Sequence, residues 1–326
     1  MTEPQSMVSW GLDLSTNPKK CAAVAIRWDH GRPEVVDVRT PLKPDAIVDL
    51  IFSEDAPFAV DVPFGWPDHF IEFLKQHQSA AQRPPDDREA WRKETLARRA
   101  TDRRLLHLAL PLPASFDRLG KTAVMWSAIE FDLARRGIII DRAGMRGRLC
   151  ETYPTAALVA WNLPKKKPTL ELIESAFPFL QLGALRERLV TDDVCDALIC
   201  SLVARGRFLG RTVGPAETEE QARREGWIHV MEQDARWLLD PEGSGKHWLR
   251  LPILPPSAES LDEDGPKRTF DFWREDGSQM DQLAEFGGAV GTGQGGAAEQ
   301  VVNYPFPAAV PARLSQEAWD MAARPR

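Results

Sequence analysis

The sequence predicts an α/β protein whose mixed sheet begins in the order βββαβ. Three observations predict it. Apolar, strand-like runs alternate with turn-rich breaks over the first forty residues; a stretch of helical periodicity follows; and "FAVDVPFGWP" then returns to strand character until Pro63 and Gly65 stop it. With 43% hydrophobic and 27% charged residues in 326, the chain can bury a sizeable core.

"MVSWGLDL" and "CAAVAIRW" read as strands separated by the turn formers of "STNPKK", and "EVVDVRT" follows "DHGRP", which together make a three-stranded antiparallel meander. "PDAIVDLIFS" places Pro44 at the first helical position and Ile47, Leu50 and Ile51 on one face. From Pro67 to about Arg136 the pattern is charged and mostly helical, broken at "RPPDD" and "LPLPAS", and is too long for a connection, so it is read as a helical insertion. "GIIIDRAGMRGRLCETYP" predicts a short strand, a turn and a strand ending near Glu151. Helices are expected over 154–161, in "TLELIESAF", and from about Asp192 to Arg207. Residues 1–230 thus form one domain with an insertion at about 67–136, and 231–326 an irregular extension rich in Pro, Ser, Gly and acids.

No run approaches the roughly 18 to 20 apolar residues of a membrane span, and the start lacks a basic region ahead of an apolar stretch, so a cytoplasmic protein is expected. Cys21, Cys150, Cys195 and Cys200 show neither a CxxC pair nor metal-ligand spacing and read as small buried thiols. The net charge of -7 is uneven: Ser257 to the end holds twelve Asp/Glu against six Lys/Arg, whereas Arg83–Arg148 holds fifteen Lys/Arg against nine Asp/Glu. A nucleic-acid partner is therefore compatible with an acidic chain, the alternative being a solvated helical face.

The acids of "LVTDDVCDALICSLVARG" point to chemistry. On a helix, Asp193 and Asp196 lie about 60° apart and one turn apart in height, so both carboxylates can face one spot. Thr191 or Asp192 suits a helix cap, with Asp192 the expected one. Asp13 in "VSWGLDLS" and Asp61 in "FAVDVPFGW" place further acids in apolar strands, where acids are disfavoured. Such a cluster repels itself unless a cation neutralises it, and Mg²⁺ or Mn²⁺ takes oxygen ligands.

The strand order, an acid in the first and fourth strands, and "DVCDAL" on a later helix resemble the RNase H-like superfamily and its RuvC-type resolvases. "GLDLS", "AVDVPFGWP", "RATDR", "ETYPTAAL", "DDVCDALICSLVAR" and "GWI", in order over about residues 8 to 230, resemble the motifs of the domain of unknown function 429 family, predicted RNase H-like nucleases. The resemblance implies an RNase H-like mixed sheet and Asp13, Asp61, Asp193 and Asp196 as metal ligands, with Glu151 a further ligand or base. RuvC-type enzymes carry Glu on the fourth strand, where this chain has Asp61. Arg99, Thr101 and Arg103 of "RATDR" become candidate substrate contacts: Arg99 or Arg103 either forks onto phosphate or pairs with Asp102. Tyr153 is read as packing, "PKKKP" as a solvated loop, and Trp66 and Trp126 as core residues in preference to base-stacking ones.

The leading functional expectation is a divalent-metal-dependent nuclease acting on DNA or RNA. Two alternatives stand beside it: a non-catalytic module binding nucleic acid or protein, and an actin-like ATPase or phosphotransferase. For the last, "GLDLST" is a loose fit, and "GGAVGTGQGG" lacks the flanking strand and helix of a nucleotide loop.

Overall fold

The computed structural model describes residues 7–29, 32–79, 85–115, 118–231 and 235–239, and beyond them two short strands. Six strands form one mixed sheet in the order β3-β2-β1-β4-β5-β6. They are β1 (Met7–Asp13), β2 (Ala22–Asp29), β3 (Arg32–Arg39), β4 (Phe58–Asp61), β5 (Leu149–Thr152) and β6 (Ile228–His229). The first three pair antiparallel; β1–β4, β4–β5 and β5–β6 pair parallel. The βββαβ start is thus present, with α1 (Pro44–Ser53) as the crossover.

Strand alternation sends successive side chains to opposite faces. On one face Trp10, Leu12, Phe58 and Val60 pack against α1 and against Trp126, Ile129 and Leu133. On the other, Val24, Ile26, Ala59 and Cys150 pack under a helix buried almost all round, together with Ala156, Leu158 and Ile173. All four cysteines are buried and free.

Between β4 and β5 the chain is helical: α2 (Asp68–Gln78), a π-helical turn at Trp91–Leu96, α3 (Ala100–Arg104) and α4 (Arg118–Arg135). The strand expected in "GIIID" does not form. The Gly137 and Ile138 amides instead donate to Ala134 O at 3.0 Å and Leu133 O at 2.9 Å, closing α4 through a left-handed Gly137 (φ 84°). Ile138 still enters the core, so its hydrophobicity marks burial without a ladder.

After β5 come α5 (Pro154–Ala160), α6 (Leu170–Ala176), α7 (Asp192–Phe208) and α8 (Glu219–Glu225). The chain divides into two compact units, Met1–Ser257 and Ala258–Arg326. The second contains the antiparallel pair Phe272–Trp273 and Gln279–Met280. Of the extension expected over 231–326, Met231 and the short 3₁₀ helix Ala235–Leu239 are described as well, and the remainder lies outside the described residues. Among the described residues, no helix is long and apolar enough to cross a membrane.

Candidate functional site

Asp13 ends β1, Asp61 ends β4, and the two are level with each other across the parallel pair. They therefore leave the sheet on the same face. Gly11, two residues before Asp13, identifies that face: a methyl group built on it would lie 1.9 Å from Ala197 O and 2.2 Å from Ser201 N of α7. Only glycine lets the helix backbone rest directly on the strand. Ser201 Oγ lies 2.9 Å from both Ser9 Oγ and Ser9 O, and Trp28 Nε1 donates to Ser9 Oγ at 2.8 Å. This seating brings Asp193 and Asp196, in the first turns of α7, towards the strand ends.

The helix is capped by Thr191, whose Oγ1 accepts from Val194 N at 3.3 Å. Asp192, the expected cap, instead forms an ion pair with Lys167, because its side chain points out of the first turn towards the "PKKKP" loop. Thr191→Ala should cost about 1 kcal/mol of stability in urea unfolding, and Asp192→Ala much less.

Burial pushes the Asp13 carboxyl well above the usual range; Asp61, Asp196 and Asp193 add to this and Lys167 opposes it. Burial likewise raises Asp61, with Asp196 and Glu151 adding. Asp196 is pushed up to about 7, first by burial, with Lys167 opposing and Asp193 adding. All four aspartates nevertheless remain partly exposed. An acid whose folded-state pKa is raised binds more protons folded than unfolded, so its contribution favours the fold at low pH and is lost as pH rises to the folded value. In EDTA, the melting temperature should therefore fall between about pH 4 and pH 7 through Asp196, and Asp196→Asn should flatten that part of the profile. An unchanged profile in the variant would show that Asp196 titrates normally.

Glu151 does not join the aspartates. It is level with Val60, one residue out of phase with Asp61, and so leaves the opposite face of the sheet. There it is buried in a two-pronged ion pair: Arg99 Nη1 reaches Oε2 at 2.8 Å and Nη2 reaches Oε1 at 2.7 Å. Phe64 N donates to Oε2 at 2.9 Å, which ties down the loop that follows Asp61. Burial raises the Glu151 pKa, while Arg99 opposes the rise.

Arg99 completes its fork on Asp102, with Nη2 3.0 Å from Oδ1 and Nε 3.2 Å from Oδ2, and Nη1 also donates to Glu225 O at 3.1 Å. It is 2% exposed, so its guanidinium is fully committed inside the protein and does not face a substrate. Thr101 Oγ1 accepts from Ile228 N at 2.8 Å, and Glu225 accepts from Asp68 N at 2.9 Å and Ala100 N at 2.7 Å. Gly226 (φ +88°) is required here, since an added methyl would sit 2.6 Å from Glu151 Oε2. "RATDR", "ETYP" and "GWI" thus meet as one buried polar lock. Arg103 is exposed, donating to Arg98 O at 2.8 Å and Glu94 O at 3.3 Å.

Trp126 is fully buried and stacks on Phe64 at 4.6 Å between centroids, as a core residue should; Trp66 is partly exposed. Tyr153 is half-buried beside the site: burial raises its pKa, with Thr155 opposing and Asp61 and Asp196 adding. Of the fifteen cations in the basic middle segment, six are held in ion pairs among the described residues, Lys93–Glu89, Arg98–Glu94, Arg136–Asp49, Arg142–Glu130, Arg148–Asp55 and Arg99 with Glu151. Lys167 is the residue that sequence reasoning passed over. It stands 25 positions before Asp192 in a polar loop, and only the packing of that loop beside α7 reveals it.

The four carboxylates are an all-oxygen donor set, and burial raises the proton affinity of Asp13, Asp61 and Asp196, the chemistry that suits Mg²⁺ or Mn²⁺. Among the described residues, no three His, Cys, Asp or Glu side chains are arranged to hold a metal ion as they stand.

Residues 11–220 match the family described as protein of unknown function (DUF429). The chain belongs to the DUF429 family. No curated protein and no solved structure matches it. The DUF429 span includes Asp13, Asp61, Arg99, Glu151, Asp193 and Asp196. Glu225 and Gly226 of the lock lie just beyond it.

Proposed function

We propose that the chain is a divalent-metal-dependent nuclease with an RNase H-like core, hydrolysing phosphodiester bonds of DNA or RNA. One observation carries the reading: Asp13 and Asp61 stand level on adjacent parallel strands, on the face where α7 brings Asp193 and Asp196. Carboxylates that raise one another's pKa in a partly buried site are poised for a cation. The order β3-β2-β1-β4-β5, antiparallel and then parallel, is compatible with an RNase H-like sheet. Four free buried thiols fit a reducing, cytoplasmic setting.

Asp13, Asp61, Asp193 and Asp196 would hold Mg²⁺ or Mn²⁺, and the ion supplies a more acidic bound water and neutralisation of phosphate charge. The chain's own contribution is to hold these groups together. Gly11 and the two serines fix α7 on β1, while the lock of Arg99 and Glu151 fixes the loop after Asp61.

The test is cleavage of single-stranded, duplex and branched DNA and RNA with Mg²⁺ or Mn²⁺ by wild type and Asp13→Asn. The variant should lose at least about a hundredfold in rate, since removing even an outer-sphere partner costs 10 to 100-fold. Equal activity in both proteins would sink the assignment.

A second reading, a non-catalytic nucleic-acid-binding module, draws support from Lys167, which already offsets part of the negative charge on Asp13 and Asp196. Nucleic-acid affinity without cleavage under any divalent ion would favour it.

A further inference from the structure

We infer that the three-lysine loop of residues 164–168 grips the nucleic-acid backbone at the mouth of the carboxylate cluster, with Lys167 as the innermost contact. The inference rests on the nuclease reading and names the part of the chain that binds the polymer.

The loop is held in place. Its Lys166 amide donates to Pro164 O at 2.8 Å, Asn162 ahead of it is left-handed (φ 60°), and Pro168 behind it is buried. Thr169 then caps α6, its side chain accepting from Leu172 N at 3.3 Å. Two prolines and a cap leave the intervening lysines little backbone freedom. The lysines themselves are exposed.

Their position is set by α7. Lys167 pairs with Asp192, the neighbour of Asp193, so the loop stands beside the helix start that carries the acids. Its charge is felt at Asp13 and Asp196, where it opposes the effect of burial. Lys165 and Lys166 are exposed and make no ion pair among the described residues. Six cations of the segment 83–148 contrast with them, being already matched by carboxylates.

An exposed ammonium beside an acidic cluster does two things for a polyanion. It offsets the repulsion that four carboxylates would impose on an approaching phosphodiester, and it gives a compact point of attachment for phosphate oxygens. Three in succession fit a polymer with regularly spaced charges better than a single phosphate.

The experiment is fluorescence anisotropy of a labelled single-stranded oligonucleotide, titrated with the full chain in EDTA over a series of salt concentrations. Each phosphate contact on a single strand contributes about 0.7 to the slope of log affinity against log salt. Replacing Lys165, Lys166 and Lys167 together by Ala should lower that slope by at least about 1.4, the share of the two unpaired lysines, and weaken binding at least about tenfold at low salt, with little change in melting temperature. Replacing all three by Arg should keep the slope. Arg103→Ala should leave it nearly unchanged.

If wild type cleaves nucleic acid but the triple Ala variant binds with the same slope and affinity, the loop's role is overturned and the nuclease reading stands. If wild type neither binds nor cleaves, both fall. A free mononucleotide that displaces the oligonucleotide at equal concentration would identify the ligand as a nucleotide and overturn the assignment to polymer.

Discussion

Arg99→Met is expected to lower the unfolding free energy by about 3–5 kcal/mol, the range for breaking a buried ion pair by removing one partner. The substitution keeps much of the aliphatic bulk but strips Glu151 and Asp102 of their shared counter-charge in a place where both are 2% exposed or less. Burial opposes the Arg99 charge, and Asp102 and Glu151 more than offset it, so the three groups depend on one another. A domain of ordinary stability, about 5–15 kcal/mol, would lose a large share of it. The sign of the pH dependence follows. Without Arg99 the Glu151 pKa rises further above its unfolded value, so the variant is least damaged at low pH and its deficit grows as pH rises. Urea unfolding at pH 5 and pH 8 measures both effects. Adding Glu151→Gln should recover part of the loss, because it removes the stranded charge. A single-variant cost below about 1 kcal/mol would mean that Arg99 faces water and remains free to bind phosphate.

Gly11→Ala should be almost as damaging, by about 3 kcal/mol, at the upper end of overpacking costs. Its methyl group would meet backbone atoms of α7 on two sides, at 1.9 and 2.2 Å, and backbone cannot rotate away as a side chain can. The helix has to lift off β1, which strains the buried Ser9–Ser201 contact and draws Asp193 and Asp196 away from Asp13. The same substitution should therefore weaken divalent-ion stabilisation as well as the fold. Thermal unfolding with and without Mn²⁺ gives both readouts. A melting temperature within about a degree of wild type would show that α7 does not rest on Gly11, since about 1 kcal/mol corresponds to at least 2 °C in a domain of this size.

Much of the fold was legible in the chain because its signals are local. Pro44 opening a helix, Pro63 and Gly65 ending a strand, and turn formers between apolar runs each act within a few residues. Where a local signal was ambiguous the reading failed: three isoleucines after α4 suit either a strand or a core-facing coil, and Gly137 chose the second by closing the helix. The aspartates were legible as anomalies, since acids in apolar strands and on a buried helix stand out.

Roles that depend on facing direction were not legible. Glu151 looks like a fifth acid of the cluster until the register with Val60 puts it on the opposite side of the sheet, one residue out of phase with Asp61. Arg99 looks like a phosphate fork until it is found buried between two carboxylates. Lys167 looks like one solvated lysine among three until the loop is seen beside α7. Most of the order of elements, and which residues are chemically out of place, is written in the chain, because propensity and hydrophobic period act over a few neighbouring positions. Which of those residues share a face, and which already have partners, emerges only in three dimensions, because it depends on strand register and on contacts such as Ser9–Ser201, between segments 192 positions apart.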